Sequence, residues 1–218
     1  SDPAGPLHGE PMAVKDLVAT DGIRTTWGSP IFADHIPDAD EAVARRLRAA
    51  GAILIGKTNT PEFGLGSHSY NPVHGVTRNP YDLARTAGGS SGGAAAALAC
   101  GMVSLADGSD MMGSLRNPAG WCNVYGFRPS WGLVPGDPVG DSYLHMLSTE
   151  GPMATSPAGL ARLLQVLAQA EPMRPFSRVA DDFATALDAP LQDMRIGWLA
   201  DWGGAYPMEP GILDLCEA

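Results

Sequence analysis

Four glycines and two serines, Gly88-Gly89-Ser90-Ser91-Gly92-Gly93, run straight into an alanine-rich stretch from Ala94 to Cys100. Small residues point in every direction around that stretch, so a helix formed there has neither an apolar stripe nor a polar face. Such a helix is stable only when buried and packed closely on its neighbours. This feature therefore demands a layered fold with a tight interior. The loop in front of it sets backbone donors and hydroxyls together at a helix N-terminus. Its plain reading is a tight helix entry with serine caps; its functional reading is a site.

The rest of the chain supplies the layers. Pro11 to Leu17 is a short apolar segment that reads as a strand end and carries Lys15 and Asp16. Asp40 reads as an N-cap with Glu41 in the first turn; Val43, Leu47 and Ala50 recur at helical spacing, and Gly51 ends the helix. Ala52 to Ile55 then reads as a buried strand, and a helix followed by a strand is half of an α/β unit. Residues 59 to 89 are rich in Gly, Pro, Asn, Ser and Thr and read as a long functional loop. Val103 to Ala106 is another short strand. Ser156, Pro157 and the leucines at 160, 163, 164 and 167 predict a capped amphipathic helix. A connector with Pro172 and Pro175, a helix near 179 to 187 and a strand near 194 to 199 follow. Residues 209 to 218 read as an acidic, Pro-started helix with no stop signal, so the chain reads as one domain, 1–218, cut from a longer protein.

Composition narrows the function. With 44% hydrophobic and 17% charged residues, a chain of 218 residues builds a sizeable core. The net charge of −10 disfavours binding to a phosphate backbone, so no nucleic acid is expected as a partner. No apolar run reaches the length of a membrane span, and no secretory signal is visible at the start. Cys100, Cys122 and Cys216 are odd in number and widely spaced, which points to reduced thiols in a cytoplasm. His8, His35, His68, His74 and His145 show no ligand spacing, so neither metal nor cofactor is implied.

Two pattern matches fail on physical grounds. Gly51 to Thr58 fits a phosphate-binding loop letter for letter, but its variable positions, Ala-Ile-Leu-Ile, are the strand itself. Gly88-Gly89-Ser90-Ser91-Gly92 fits a nucleophile elbow, which needs an apolar strand directly before it; Arg85-Thr86-Ala87 is not one. A triad of that kind would also need a downstream histidine, and only His145 follows.

Three features combine better. The first is the loop around Ser90 and Ser91. The second is Gly108-Ser109-Asp110-Met111-Met112-Gly113-Ser114-Leu115-Arg116, which joins a strand to a helix starting near Ser114. Its plain reading is a turn capped by Asp110 and Ser114. The third is lysine usage. Only Lys15 and Lys57 occur, against twelve arginines. Arginine does not release its proton, whereas a buried lysine does, so a lysine at a strand end is a candidate base. Its plain reading is an ion-paired lysine beside Asp16.

Together these blocks resemble the amidase signature family. The match runs from Leu7-His8-Gly9-Glu10-Pro11-Met12-Ala13-Val14-Lys15-Asp16 through Gly56-Lys57-Thr58-Asn59-Thr60-Pro61-Glu62-Phe63 and Thr77-Arg78-Asn79-Pro80-Tyr81-Asp82-Leu83. It continues through both serine loops to Gly126-Phe127-Arg128-Pro129-Ser130 and Gly151-Pro152-Met153. Lys15 and Ser90 stand 75 residues apart, and Ser90 and Ser114 stand 24 apart. The resemblance implies an α/β fold with one mixed β-sheet flanked by helices on both faces, incomplete at both ends of this chain. An open sheet edge would favour association with a second copy. The resemblance further implies an amidase acting on a small-molecule carboxamide. Ser114 is then the nucleophile, Ser90 the bridging serine on a non-proline cis peptide, and Lys15 the base. The oxyanion is expected on the amides of Met111, Met112, Gly113 and Ser114, with Asp110, Arg116 and Ser91 in support. The family usually carries Gly-Gly before the nucleophile; here Met112-Gly113 stands in its place. With Met111, Trp121 and Tyr125 near in sequence, an apolar or aromatic acyl group is favoured, although core filling is an equal reading. The amidase component of a tRNA-dependent amidotransferase, and an inactive piece, are the competing readings.

Overall fold

The computed structural model describes residues 5–137, 146–174, 176–185, 187–190 and 192–218. His145 and Pro175 lie outside the described residues. Two compact units are present, residues 1–187 and 188–218.

The first unit is built on a five-stranded mixed sheet. Its strands are β1 (Pro11–Lys15), β2 (Ile53–Thr58), β7 (Leu105–Asp110), β8 (Tyr125–Gly126) and β9 (Thr149–Ala154), in the order β2-β1-β7-β9-β8. β1 runs parallel to both β2 and β7, while β9 runs antiparallel to β7 and β8. Two small antiparallel ribbons fill the long loop: β3 (Tyr70–Asn71) with β4 (Gly75–Val76), and β5 (Arg78–Asn79) with β6 (Asp82–Thr86).

Helices cover both faces of the sheet, as the resemblance implies. Strand alternation decides which residue meets which layer. Met12, Val14, Leu105 and Ala154 join one core with Val43, Ala44 and Leu47 of α1 (Ala42–Ala49) and Leu163, Leu164 and Leu167 of α4 (Pro157–Leu167). Their neighbours Ala106 and Met153 join the other core with Ala94, Ala95 and Leu98 of α2 (Gly92–Ala99) and Ala119 of α3 (Arg116–Trp121). α2 is the helix of small residues, and it packs as closely as its composition requires. A Cβ at Gly93 would stand 2.2 Å from the Asn59 backbone nitrogen.

Local signals account for most helix ends. The Ser156 hydroxyl accepts from Gly159 N at 3.1 Å, with Pro157 at the first helical position of α4. At α1 the cap position is Glu41 rather than Asp40. The Asp40 carboxylate is instead engaged by Asp21 N (2.8 Å) and Arg48 Nε (2.9 Å), so it ties the entering loop down. The segment that mimics a phosphate loop is β2, and Lys57 Nζ donates to Thr20 Oγ1 at 2.9 Å and to the Val18 carbonyl.

The helix expected near 179–187 is not formed over its described residues, and the strand expected near 194–199 joins no sheet among the described residues. Val179 and Ile196 are more than four-fifths exposed; Ala180 and Phe183 rest on the core beside α1 and α4, but those two side chains do not hold a helix, and the apolar side chains of 194–199 are all exposed. The second unit holds α5 (Ile212–Glu217) and a Trp202–Tyr206 edge contact at 6.5 Å. Among the described residues no helix is long and apolar enough to cross a membrane.

Candidate active site

Lys15 ends β1 with no exposed surface. Its Nζ donates to three hydroxyls: Ser90 Oγ at 2.7 Å, Ser91 Oγ at 2.8 Å and Ser109 Oγ at 2.9 Å. An ammonium has three protons to give, and here each one is matched. Sequence reasoning singled out Ser90 and Ser91 but not Ser109. Ser109 reaches Lys15 because β7 lies against β1, a pairing between segments some ninety residues apart. The signal that would have found it is a hydroxyl directly before Asp110 on a strand.

The serine loop is fixed by its neighbours. The Gly89–Ser90 peptide is cis. The Ser69 hydroxyl donates to the Ser90 carbonyl at 3.1 Å and accepts from Gly92 N at 2.9 Å. Ser91 N donates to the Ser114 carbonyl at 3.2 Å, which ties the two serine loops together. Ser91 Oγ also accepts from Ser109 N at 3.3 Å. Gly108 leaves the room this needs, since a Cβ there would meet Ser91 Oγ at 2.7 Å.

Burial sets the electrostatics. It pulls the Lys15 amine down to about 8, while the carboxyls of Glu150, Asp107 and Asp110 favour its charged form. Burial likewise pushes the Glu150 and Asp107 carboxyls up, against the attraction of Lys15. Asp107 Oδ1 accepts from Lys15 N at 2.9 Å, whereas Asp107 Oδ2 and Glu150 Oε2 are buried with no hydrogen-bond partner among the described residues. A lysine amine and two carboxyls with buried oxygens thus lie close together, which favours fewer charges than three.

Asp110 organises the second loop. Its carboxylate accepts from Gly113 N (2.7 Å), Leu115 N (3.2 Å), Arg116 Nε (2.9 Å) and Arg128 NH1 (2.8 Å). Burial alone would raise this carboxyl; the hydrogen bonds from Arg116, Gly113, Arg128 and Leu115 outweigh it and hold the group well below the usual carboxylate range. Arg128, from the Gly126–Ser130 segment, has a part in this loop that its sequence position does not reveal. Its guanidinium also donates to the Asp110 and Leu147 carbonyls, so it locks the loop from outside. Of the four amides expected at the oxyanion, that of Gly113 is directed to Asp110 Oδ1, because the carboxylate is the stronger acceptor within reach. That expectation narrows to Met111, Met112 and Ser114. The positive φ in this loop falls on Gly113 (122°), so methionine fits at 112 without strain.

Ser90, Ser109 and Ser114 line one open cavity of about 470 Å³, together with Met111, Met112 and Asn117. Lys15 lies behind this wall rather than in it. Trp121 and Tyr125 are not part of the wall; Trp121 instead lies 5.8 Å from His68, ring to ring. The geometry offers hydroxyls beside a buried amine of lowered basicity, open to a small molecule.

The family model described as Amidase matches residues 1–216. The chain is 43% identical over 210 residues to the A-type subunit of the Glutamyl-tRNA(Gln) amidotransferase of Chloroflexus aurantiacus, covering 95% of this chain and 43% of that protein. It is similar to the solved structure of 6-aminohexanoate cyclic dimer hydrolase, with TM-score 0.80, 34% identity, and 85% and 40% of the two chains covered. It is also similar to a bacterial aryl acylamidase of the amidase signature enzymes, with TM-score 0.79, 36% identity, and 85% and 39% covered. The chain therefore spans about two fifths of the length of the relatives it matches.

Proposed function

The chain belongs to the amidase signature family, and from that premise we propose that it carries the core of an enzyme hydrolysing a carboxamide to a carboxylate plus ammonia or an amine. The observation that carries the reading is the Lys15 amine, buried, lowered in basicity and 2.7 Å from Ser90 Oγ.

In this reading neutral Lys15 takes the Ser90 proton, and Ser90 takes the proton of Ser114 as Ser114 Oγ attacks the amide carbonyl. Met111, Met112 and Ser114 amides receive the oxyanion. Ser90 returns a proton to the departing nitrogen as the C–N bond breaks, leaving an ester on Ser114. Water adds to that ester by the same route, and the acid leaves. Ser91 and Ser109 hold the lysine in line, while Asp110, Arg116 and Arg128 hold the loop. No cofactor enters the reaction. The three free thiols suit a cytoplasmic setting, and the exposed Ile53 and Ile55 of β2 suit contact with further protein, a second copy included.

The test is ammonia or amine release from a panel of neutral carboxamides by the chain and its Ser114→Ala, Ser90→Ala and Lys15→Ala variants. Turnover that all three substitutions abolish is the expected result; turnover that survives Ser114→Ala overturns the reading.

A second reading rests on the curated relatives: this is part of an amidotransferase subunit that releases ammonia from glutamine within a complex. Co-purification with a tRNA-binding partner, and glutamine hydrolysis that depends on that partner, would select it.

A further inference from the structure

The loop between Asp110 and Ser114 presents Met112 with 83% of its surface exposed and Met111 with 44% exposed. Both side chains line the cavity that Ser114 lines. Leu17, Phe63 and Leu65 complete the apolar part of that wall, and the remaining side chains facing it are serines and Asn117. Among the described residues no charged side chain lines the cavity. The ionic groups nearest in sequence, Asp110 and Arg116, are committed to each other.

We propose that Met112 is the specificity-determining residue of this site, and that the acyl part of its substrate is uncharged and apolar. The inference rests on the reading of Ser114 as the nucleophile and deepens it. A charged acyl group entering this cavity would lose water and gain no partner, which is unfavourable. An alkyl or aryl group would cover the exposed methionine and be covered by it. Methionine suits this role because its unbranched thioether adapts to differently shaped apolar groups. Its backbone carries no positive φ, so what a methionine adds at this position, beyond the amide any residue supplies, is its side chain.

The experiment measures the rate of Ser114 phosphonylation, by intact mass and peptide mapping, with three fluorophosphonates of equal length. Their chains end in phenyl, in carboxylate and in ammonium. The two charged probes have opposite signs, so the protein's net charge of −10 cannot favour phenyl over both. The phenyl probe is expected to react faster than either by about tenfold, the low end of what a few methylene-sized contacts discriminate. Met112→Gln keeps length and backbone freedom while adding polarity, and is expected to shrink the preference to about threefold or less. Met112→Leu is expected to keep it. Equal rates for the three probes on the unaltered chain, or a full preference in Met112→Gln, overturn the inference while leaving Ser114 as nucleophile. No adduct on Ser114 with any probe overturns the reading of the site and the inference together.

Discussion

Replacing Asp110 by Asn should be severely destabilising, and the structure says by how much. The Asp110 side chain has no exposed surface and serves four donor groups. Asparagine keeps one carbonyl oxygen, which can still accept from Gly113 N. Its amide nitrogen replaces Oδ2 and meets the Leu115 and Arg116 donors, so a donor faces donors, at a cost of about 1 kcal/mol. The bond from Arg128, whose side chain is 25% exposed, falls on the oxygen that asparagine keeps and loses only its charge assistance, about 1–1.5 kcal/mol. The bond to Arg116, 55% exposed, is screened by water and worth under about 1 kcal/mol. The sum is about 3 kcal/mol. With a urea slope of about 2 kcal/mol/M, the midpoint should fall by about 1.5 M at pH 7. Arg116→Ala, which removes only the exposed partner, should shift it by less than about 0.5 M. The gap between the unaltered chain and Asp110→Asn should also shrink with acid. The folded carboxyl is held below its unfolded value, so its contribution is present above the unfolded pKa of about 4 and is lost as pH falls further. A midpoint in Asp110→Asn no lower than in Arg116→Ala would refute this account of the loop.

Three other outcomes follow from the same geometry. The rate of Ser114 phosphonylation should rise with pH and level off above about 8, because neutral Lys15 is the active form; an inflection near the ordinary lysine value would contradict it. Glu150→Gln removes the carboxyl that most favours charged Lys15, so that inflection should move to lower pH; movement to higher pH would show that Glu150 does not act on Lys15 through charge. Gly93→Ala drives a Cβ into the Asn59 backbone and should lower stability by about 3 kcal/mol, whereas Gly120→Ala on α3 meets nothing within 4 Å and should be neutral or slightly stabilising; thermal unfolding distinguishes them.

What was legible in the sequence was what depends on near neighbours. The Ser156–Pro157 start of α4 and the tight burial of α2 follow from a few consecutive residues, and both stand in the structure. Asp40 and Glu41 exchange roles at α1 because a cap is decided by one turn of backbone, and the loop from Asp21 claims the Asp40 carboxylate. The segment at 194–199 carries local propensity but buries no apolar face, and that at 179–187 rests on the core only through Ala180 and Phe183; propensity alone does not hold them. The site was legible in its serine loops and its scarce lysine. Ser109, Arg128, Asp107 and Glu150 were not, since each reaches the site through sheet pairing or a loop distant in sequence. Glu150 faces Ser109 only because β9 runs antiparallel to β7.

The most direct test of the central claim is fluorophosphonate treatment of the chain followed by intact-mass spectrometry and peptide mapping. The account predicts a single adduct on Ser114 that is absent in Ser114→Ala and slowed in Lys15→Ala and Ser90→Ala. An adduct on another serine, or labelling of Ser114 at full rate without Lys15, would contradict it.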